Sequence, residues 1–169
     1  MRLPATDLGI MAEHLTTHEG MINKFKLYYT KARNMELRNL LSTHIQVLRN
    51  HVRVMLMLID PAQKEPVQLH RFDDIQLSLG YHQFSKQEKD IILEAKASAK
   101  LMASNNFMSA LMMKDPNVKQ VHIEMAIQEV QLQALYDQII EHMNWIFTPK
   151  VTEQMQLTTL QEYYHLLNE

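Results

Sequence analysis

The stretch MELRNLLSTHIQVLRNHVRVMLMLI, from Met35 to Ile59, places Leu37, Leu41, His44, Leu48, His51, Met55 and Leu58 alternately four and three residues apart. That spacing puts all of them on one face of a continuous helix. Two of these positions are imidazoles. A helical seam that gives two layers to histidine must satisfy the ring nitrogens with buried partners or use them as ligands.

The same period extends to either side. Leu8, Met11, Leu15, His18, Ile22, Phe25 and Tyr29 form the seam of a helix expected over 6–31, with Thr6 as its cap, Asp7 at its positive end and Lys24, Lys26 and Lys31 near its negative end. Asn34 caps the second helix, 35–59, and Pro61 and Pro66 end it. The crossover, 60–85, shows no sustained period and is long enough to run back along the bundle, so that the next helix starts at the far end. Ser85 and Glu88 have capping-box spacing and open a helix over 86–114 whose inner face is Ile92, Ala95, Ala99, Met102, Asn106 and Ala110. Asp115 and Pro116 start a fourth helix, 116–147, with Val118, Val121, Met125, Gln128, Leu132, Leu135, Ile139, His142 and Ile146 on its seam. Thr148 and Pro149 repeat the signal before a short fifth helix, 150–168, expected to pack across the bundle or against another subunit.

Composition agrees with an all-α chain. The 169 residues include 13 methionines, only 3 glycines and 5 prolines, and they fit one domain, 1–169, with a core of its own. With 17 basic and 19 acidic residues the net charge is −2, and no basic cluster marks a nucleic-acid face. There is no cysteine, which excludes disulfides, thiolate metal sites and thiol nucleophiles. No apolar run is long enough to span a membrane and the start, Met1 to Ile10, lacks a signal-peptide core, so synthesis and retention in the cytoplasm are expected. No Gly-rich phosphate loop or nucleophile elbow is present, and the expectation is a protein without enzymatic activity.

Shifting the seam by 84 residues lays Leu41 on Met125, His44 on Gln128, Leu48 on Leu132 and Met55 on Ile139. Two helical hairpins joined by a long crossover describe a ferritin-like up-down four-helix bundle with a short C-terminal helix added. Counting from the first hairpin turn brings His18 to the level of His44 and His51, with Gln128 near the midplane and Asn106 as a further member of one polar layer. A dinuclear ferritin-like site needs four carboxylates and two Glu-x-x-His motifs, and Glu-x-x-His is absent, with Glu19, Glu94, Glu124 and Glu129 beside the seam. Two readings of the layer stay open. One is a single divalent metal held by His18, His44 and His51, with Glu19 or Glu124 reaching in. The other, which the ligand shortage favours, is a set of core histidines bonded to one another, to Gln128 and to water, with no cofactor. A small-molecule site beside His51 and Met102 is a third expectation. His14, His122 and Glu124 read as surface, His70 and His82 as crossover residues without partner ligands, and Met55, Met57, Met102, Met112 and Met113 as core filling.

The chain resembles the spore coat protein F family of endospore-forming bacteria. The resemblance is carried by Thr6-Asp7-Leu8 opening the first helix, by Glu36-Leu37-Arg38 before a histidine-bearing second helix, and by Glu141-His142-Met143-Asn144-Trp145 leading to Pro149. Family members tend to close on Gly-Trp-Tyr-x-Pro, where this chain has Asn144, Trp145, Ile146, Phe147, Thr148 and Pro149. The resemblance implies a ferritin-like structural protein of the spore coat, or a sporulation or stress paralogue. Its implied partners are other coat proteins or a second copy, as in a homodimer, met through the C-terminal helix and without nucleic acid or membrane. No family active-site residue is carried over.

Overall fold

The computed structural model describes residues 2–81 and 83–168; His82, considered above as a crossover residue, lies outside the described residues. Among those described there are five α-helices and no strand. The helices are α1 (Ala5–Lys31), α2 (Met35–Ile59), α3 (Lys86–Met112), α4 (Pro116–His142) and α5 (Glu153–Tyr163), the last continued by a 3-10 turn at Tyr164–Leu167.

The direction of each helix follows from which ends touch. Glu88, in the first turn of α3, accepts hydrogen bonds from the backbone N–H groups of Arg33 and Asn34 in the α1–α2 turn, at 2.8 and 2.7 Å. Asp7, in the first turn of α1, accepts from Lys114 N–H (2.9 and 3.2 Å) and Asp115 N–H (2.8 Å) in the α3–α4 turn. So α1 and α4 run one way and α2 and α3 the other, and the crossover spans the full length of the bundle. Each hairpin turn is held by a carboxylate from the helix that begins the opposite hairpin.

These clamps reveal the register of an internal repeat. Ala5 and Lys86 begin α1 and α3, Met35 and Pro116 begin α2 and α4, and each pair lies 81 residues apart. Asp7 and Glu88, Arg33 and Lys114, and Asn34 and Asp115 keep the same offset. The sequence seam suggested 84. Three residues are close to one helical turn, so apolar positions superpose nearly as well in the wrong register, whereas turn and cap chemistry does not tolerate the slip.

The termini of the helices have identifiable causes. Asn34 and Thr152 accept from the backbone N–H three residues on, Ser85 and Glu88 form a reciprocal capping box, and Asp115 accepts from Asn117 and Val118 with Pro116 at the first helical position. Thr6 is not the α1 cap: the helix begins at Ala5, after Pro4, and Asp7 serves the distant turn instead of its own helix end. The fourth helix stops at His142 and not 147. Asn144 takes a left-handed conformation (φ 53), Trp145 N–H returns to Ile140 O (3.1 Å) and Asn144 N–H to Glu141 O (3.0 Å), which is a Schellman closure with asparagine where glycine is usual.

All seven α2 seam residues are buried, as is the whole small-sided α3 face from Ile92 to Ala110. The crossover is not patternless against this core. Val67 and Leu69, then Ile75, Leu77 and Leu79, turn every second residue onto the bundle, and Asn117 bonds both the N–H and the C=O of Val67 at 2.8 Å, as a neighbouring strand would. Met55, Met102 and Met113 fill the core as read, but Met57 and Met112 are exposed. No described helix is long and apolar enough to cross a membrane.

Asp7→Ala leaves two backbone N–H groups of a half-buried turn without their protein acceptor, and should lower stability by about 1–3 kcal/mol. The midpoint of urea unfolding measures this, with Glu88→Ala expected to match it and a shift under about 0.5 kcal/mol counting against the clamp.

Candidate functional site

A polar chain occupies the bundle interior, contributed by α1, α2 and α4. His18, His44, His51, His122 and Glu129 are each no more than 1 % exposed, a burial that charged or half-charged groups tolerate only when partnered. His122 corrects the sequence reading, which placed it at the surface, and Glu129, read as lying beside the seam, is fully buried with it. The α4 inner face is wider than a two-position seam, and His122, Glu129 and Tyr136, seven residues apart, form a polar stripe along its edge. Glu19 and Glu94 are exposed, and Glu124 is half-buried and accepts from Gln120 at the surface, so neither Glu19 nor Glu124 reaches the interior.

The hydrogen bonds fix the protons. Gln128 Nε2 donates to the carbonyl of His70 at 2.8 Å, which turns Gln128 Oε1 toward His51 Nε2, also at 2.8 Å. Oε1 can only accept, so His51 carries its hydrogen on Nε2 and a lone pair on Nδ1. His18 Nδ1 stands 2.7 Å from the carbonyl oxygen of His14 and must donate, leaving the lone pair of His18 on Nε2. These two lone-pair nitrogens, His18 Nε2 and His51 Nδ1, face each other at 3.4 Å. Glu129 Oε1 stands 3.9 Å from the same His51 nitrogen, wholly buried and without a hydrogen-bond partner.

His44 is turned away from this meeting point. Its Nε2 donates to Glu129 Oε2 at 3.0 Å, its Nδ1 accepts from Tyr136 O–H at 3.1 Å, and its ring packs on Phe25. Of the three histidines read from sequence, the structure brings His18 and His51 together and seats His44 behind Glu129. Asn106 is buried near His18 with neither amide atom bonded, beside a cavity of about 10 Å³ that also reaches Met102. That volume suits one water and no small-molecule ligand. A second pair lies one turn along: His122 Nδ1 donates to Val118 O, His14 Nε2 meets Ser109 Oγ, and the remaining nitrogens, His122 Nε2 and His14 Nδ1, are buried without partners. His70 contributes only its carbonyl.

No family model matches the chain, no curated protein is similar to it, and no solved structure matches it. The interior must be read from its own chemistry. One carboxylate is too few for the four that a dinuclear ferritin-like centre requires, so the residues do not fit that group. Among the described residues no three His, Asp or Glu side chains already close as a ligand set.

Burial pushes the His18 and His122 imidazoles down to about 4 and His51 to about 3, while the buried Tyr136 hydroxyl is raised well above its ordinary value by burial and by Glu129. The folded rings stay neutral where the unfolded ones, with the ordinary value of 6.5, take up protons. Stability is therefore full above the unfolded pKa and falls as pH drops below it, by roughly 2 kcal/mol per ring at pH 5. Urea midpoints in chelating buffer at pH 7 and pH 5 test this, and His122→Leu should reduce the loss; equal midpoints would contradict buried neutral rings.

Proposed function

We propose that the chain is a ferritin-like bundle of the spore coat protein F kind, a non-enzymatic structural protein that works by associating with copies of itself or with other coat proteins. The observation that carries the reading is the C-terminal segment. From Val151 to Asn168 every residue is exposed, and Leu157, Leu160, Tyr164 and Leu167 there present large apolar side chains. A short helix and 3-10 turn that leave these apolar side chains uncovered have the composition of a contact surface. Phe147, 87 % exposed in the preceding link, adds to it, and on α3 Leu101, Met108 and Leu111 make a second apolar strip.

The ferritin-like reading rests on two antiparallel hairpins, the opposed directions of α2 and α4, and a crossover that runs the length of the bundle. The coat reading rests on the motifs Thr6-Asp7-Leu8, Glu36-Leu37-Arg38 and Glu141 to Pro149. With Asn144 closing α4, the last of these is the joint between bundle and C-terminal segment, which gives that motif a structural task.

A fluorescent fusion expressed in a sporulating bacterium should gather at the spore periphery, and the purified full chain should sediment as a dimer or larger. Leu160→Glu with Leu167→Glu should abolish both while leaving helical content unchanged. Diffuse fluorescence through sporulation, with a monomer in solution, would refute the assembly role.

A further inference from the structure

We propose that His18 Nε2, His51 Nδ1 and Glu129 Oε1 are the protein ligands of one divalent transition-metal ion of the zinc class, a structural ion that ties α1, α2 and α4 together. The site is independent of the assembly role and would stand if that role failed.

These three atoms lack a hydrogen-bond donor. Each is an acceptor, each belongs to a side chain no more than 1 % exposed, and the bonds to His14 O, Gln128 and His44 have used every hydrogen the three side chains own. Two lone pairs facing at 3.4 Å with a carboxylate oxygen beside them need something positive between them. A proton fits poorly, since an N–H···N contact at 3.4 Å is longer than an ordinary hydrogen bond and leaves Glu129 Oε1 unsatisfied. One water has two hydrogens for three acceptors. A tetrahedral ion with ligand bonds of about 2.0–2.1 Å has ligand-to-ligand edges of about 3.4 Å. The two nitrogens already stand at that separation, and the carboxylate oxygen, at 3.9 Å, stands about half an ångström outside it. The described side chains do not close as a ligand set as they stand, so the ion requires Glu129 to swing Oε1 inward from its 3.9 Å separation from His51 Nδ1 while Oε2 stays on His44.

Two imidazoles and a carboxylate suit zinc, with cobalt as its spectroscopic substitute. Behind them the groups are arranged as supports of a metal site usually are. The His14 carbonyl and Gln128 hold the outer nitrogens of the two rings, and Tyr136 and His44 pass hydrogen bonds to the far oxygen of Glu129. The opening on the His18 side is a cavity of about 10 Å³ lined by His14, His18, Met102 and Asn106, which is too small for a substrate, hence the structural role. His44, one of the three imidazoles the sequence put forward, is a positioning residue in this arrangement, and Glu129 takes its place among the ligands.

The test uses the full chain without a His tag, stripped by chelator and titrated with Zn²⁺ and, separately, with Co²⁺. One equivalent should bind and raise the melting temperature, and the Co²⁺ form should show the intense visible bands of four-coordinate geometry. Glu129→Gln and His18→Leu should weaken binding at least 100-fold, Tyr136→Phe about 10- to 100-fold, and Glu19→Gln, an exposed control, not at all. Binding of less than one equivalent, affinity unchanged in Glu129→Gln, or the weak six-coordinate Co²⁺ spectrum of a surface site would each overturn the proposal. The wild-type spectrum and melting shift decide the matter even if His18→Leu does not fold.

Discussion

The orientation of one amide governs the interior. Gln128 must turn its amide nitrogen to the His70 carbonyl, because a carbonyl oxygen can only accept, and this leaves only its own oxygen for His51. From that constraint the tautomer of His51 follows, then the opposition of its free nitrogen to that of His18, then the need for a positive partner between them and Glu129. The crossover is therefore more than a connection between hairpins. By presenting the His70 carbonyl to α4 it fixes the protonation pattern two helices away.

A core with this much polarity is costly, and the scaffold around it is correspondingly redundant. The hairpins share an 81-residue repeat in helix starts, caps and the Asp7 and Glu88 clamps. The polar chain does not follow the repeat. The second-half equivalents of His18, His44 and His51 are Ala99, Met125 and Leu132, and the first-half equivalents of His122, Glu129 and Tyr136 are Leu41, Leu48 and Met55. Frame and interior obey different rules: the frame is duplicated, and the polar groups are assembled once from both halves. The repeat secures the helix ends, where backbone groups need partners, and leaves the middle free to differ.

Much of the frame was legible because its signals are local. Ser85 with Glu88 and Asp115 with Pro116 are helix starts by chemistry alone, and the four-three spacing from Leu37 to Leu58 identifies a buried face without reference to its neighbours. The end of α4 was misplaced because asparagine in a left-handed conformation closes a helix as glycine does, yet reads as an ordinary polar residue. His18, His44 and His51 were found on their seams. Glu129, His122 and Tyr136 were passed over because they flank a seam, and whether a flanking position is buried depends on how closely the third and fourth helices approach. The seven-residue interval from His122 to Glu129 to Tyr136 was the available signal. The division of labour, with His44 behind Glu129 and His18 opposite His51, depends on proton positions that only the assembled contacts determine.

The positions of two imidazole hydrogens decide the character of this interior. Long-range ¹H–¹⁵N correlation spectra of histidine-labelled, metal-free protein near neutral pH report the tautomer of each ring directly. The structure requires the Nδ1–H form of His18 and the Nε2–H form of His51, with both facing nitrogens bare. A hydrogen on His18 Nε2 or His51 Nδ1, or an imidazolium at either residue, would contradict it.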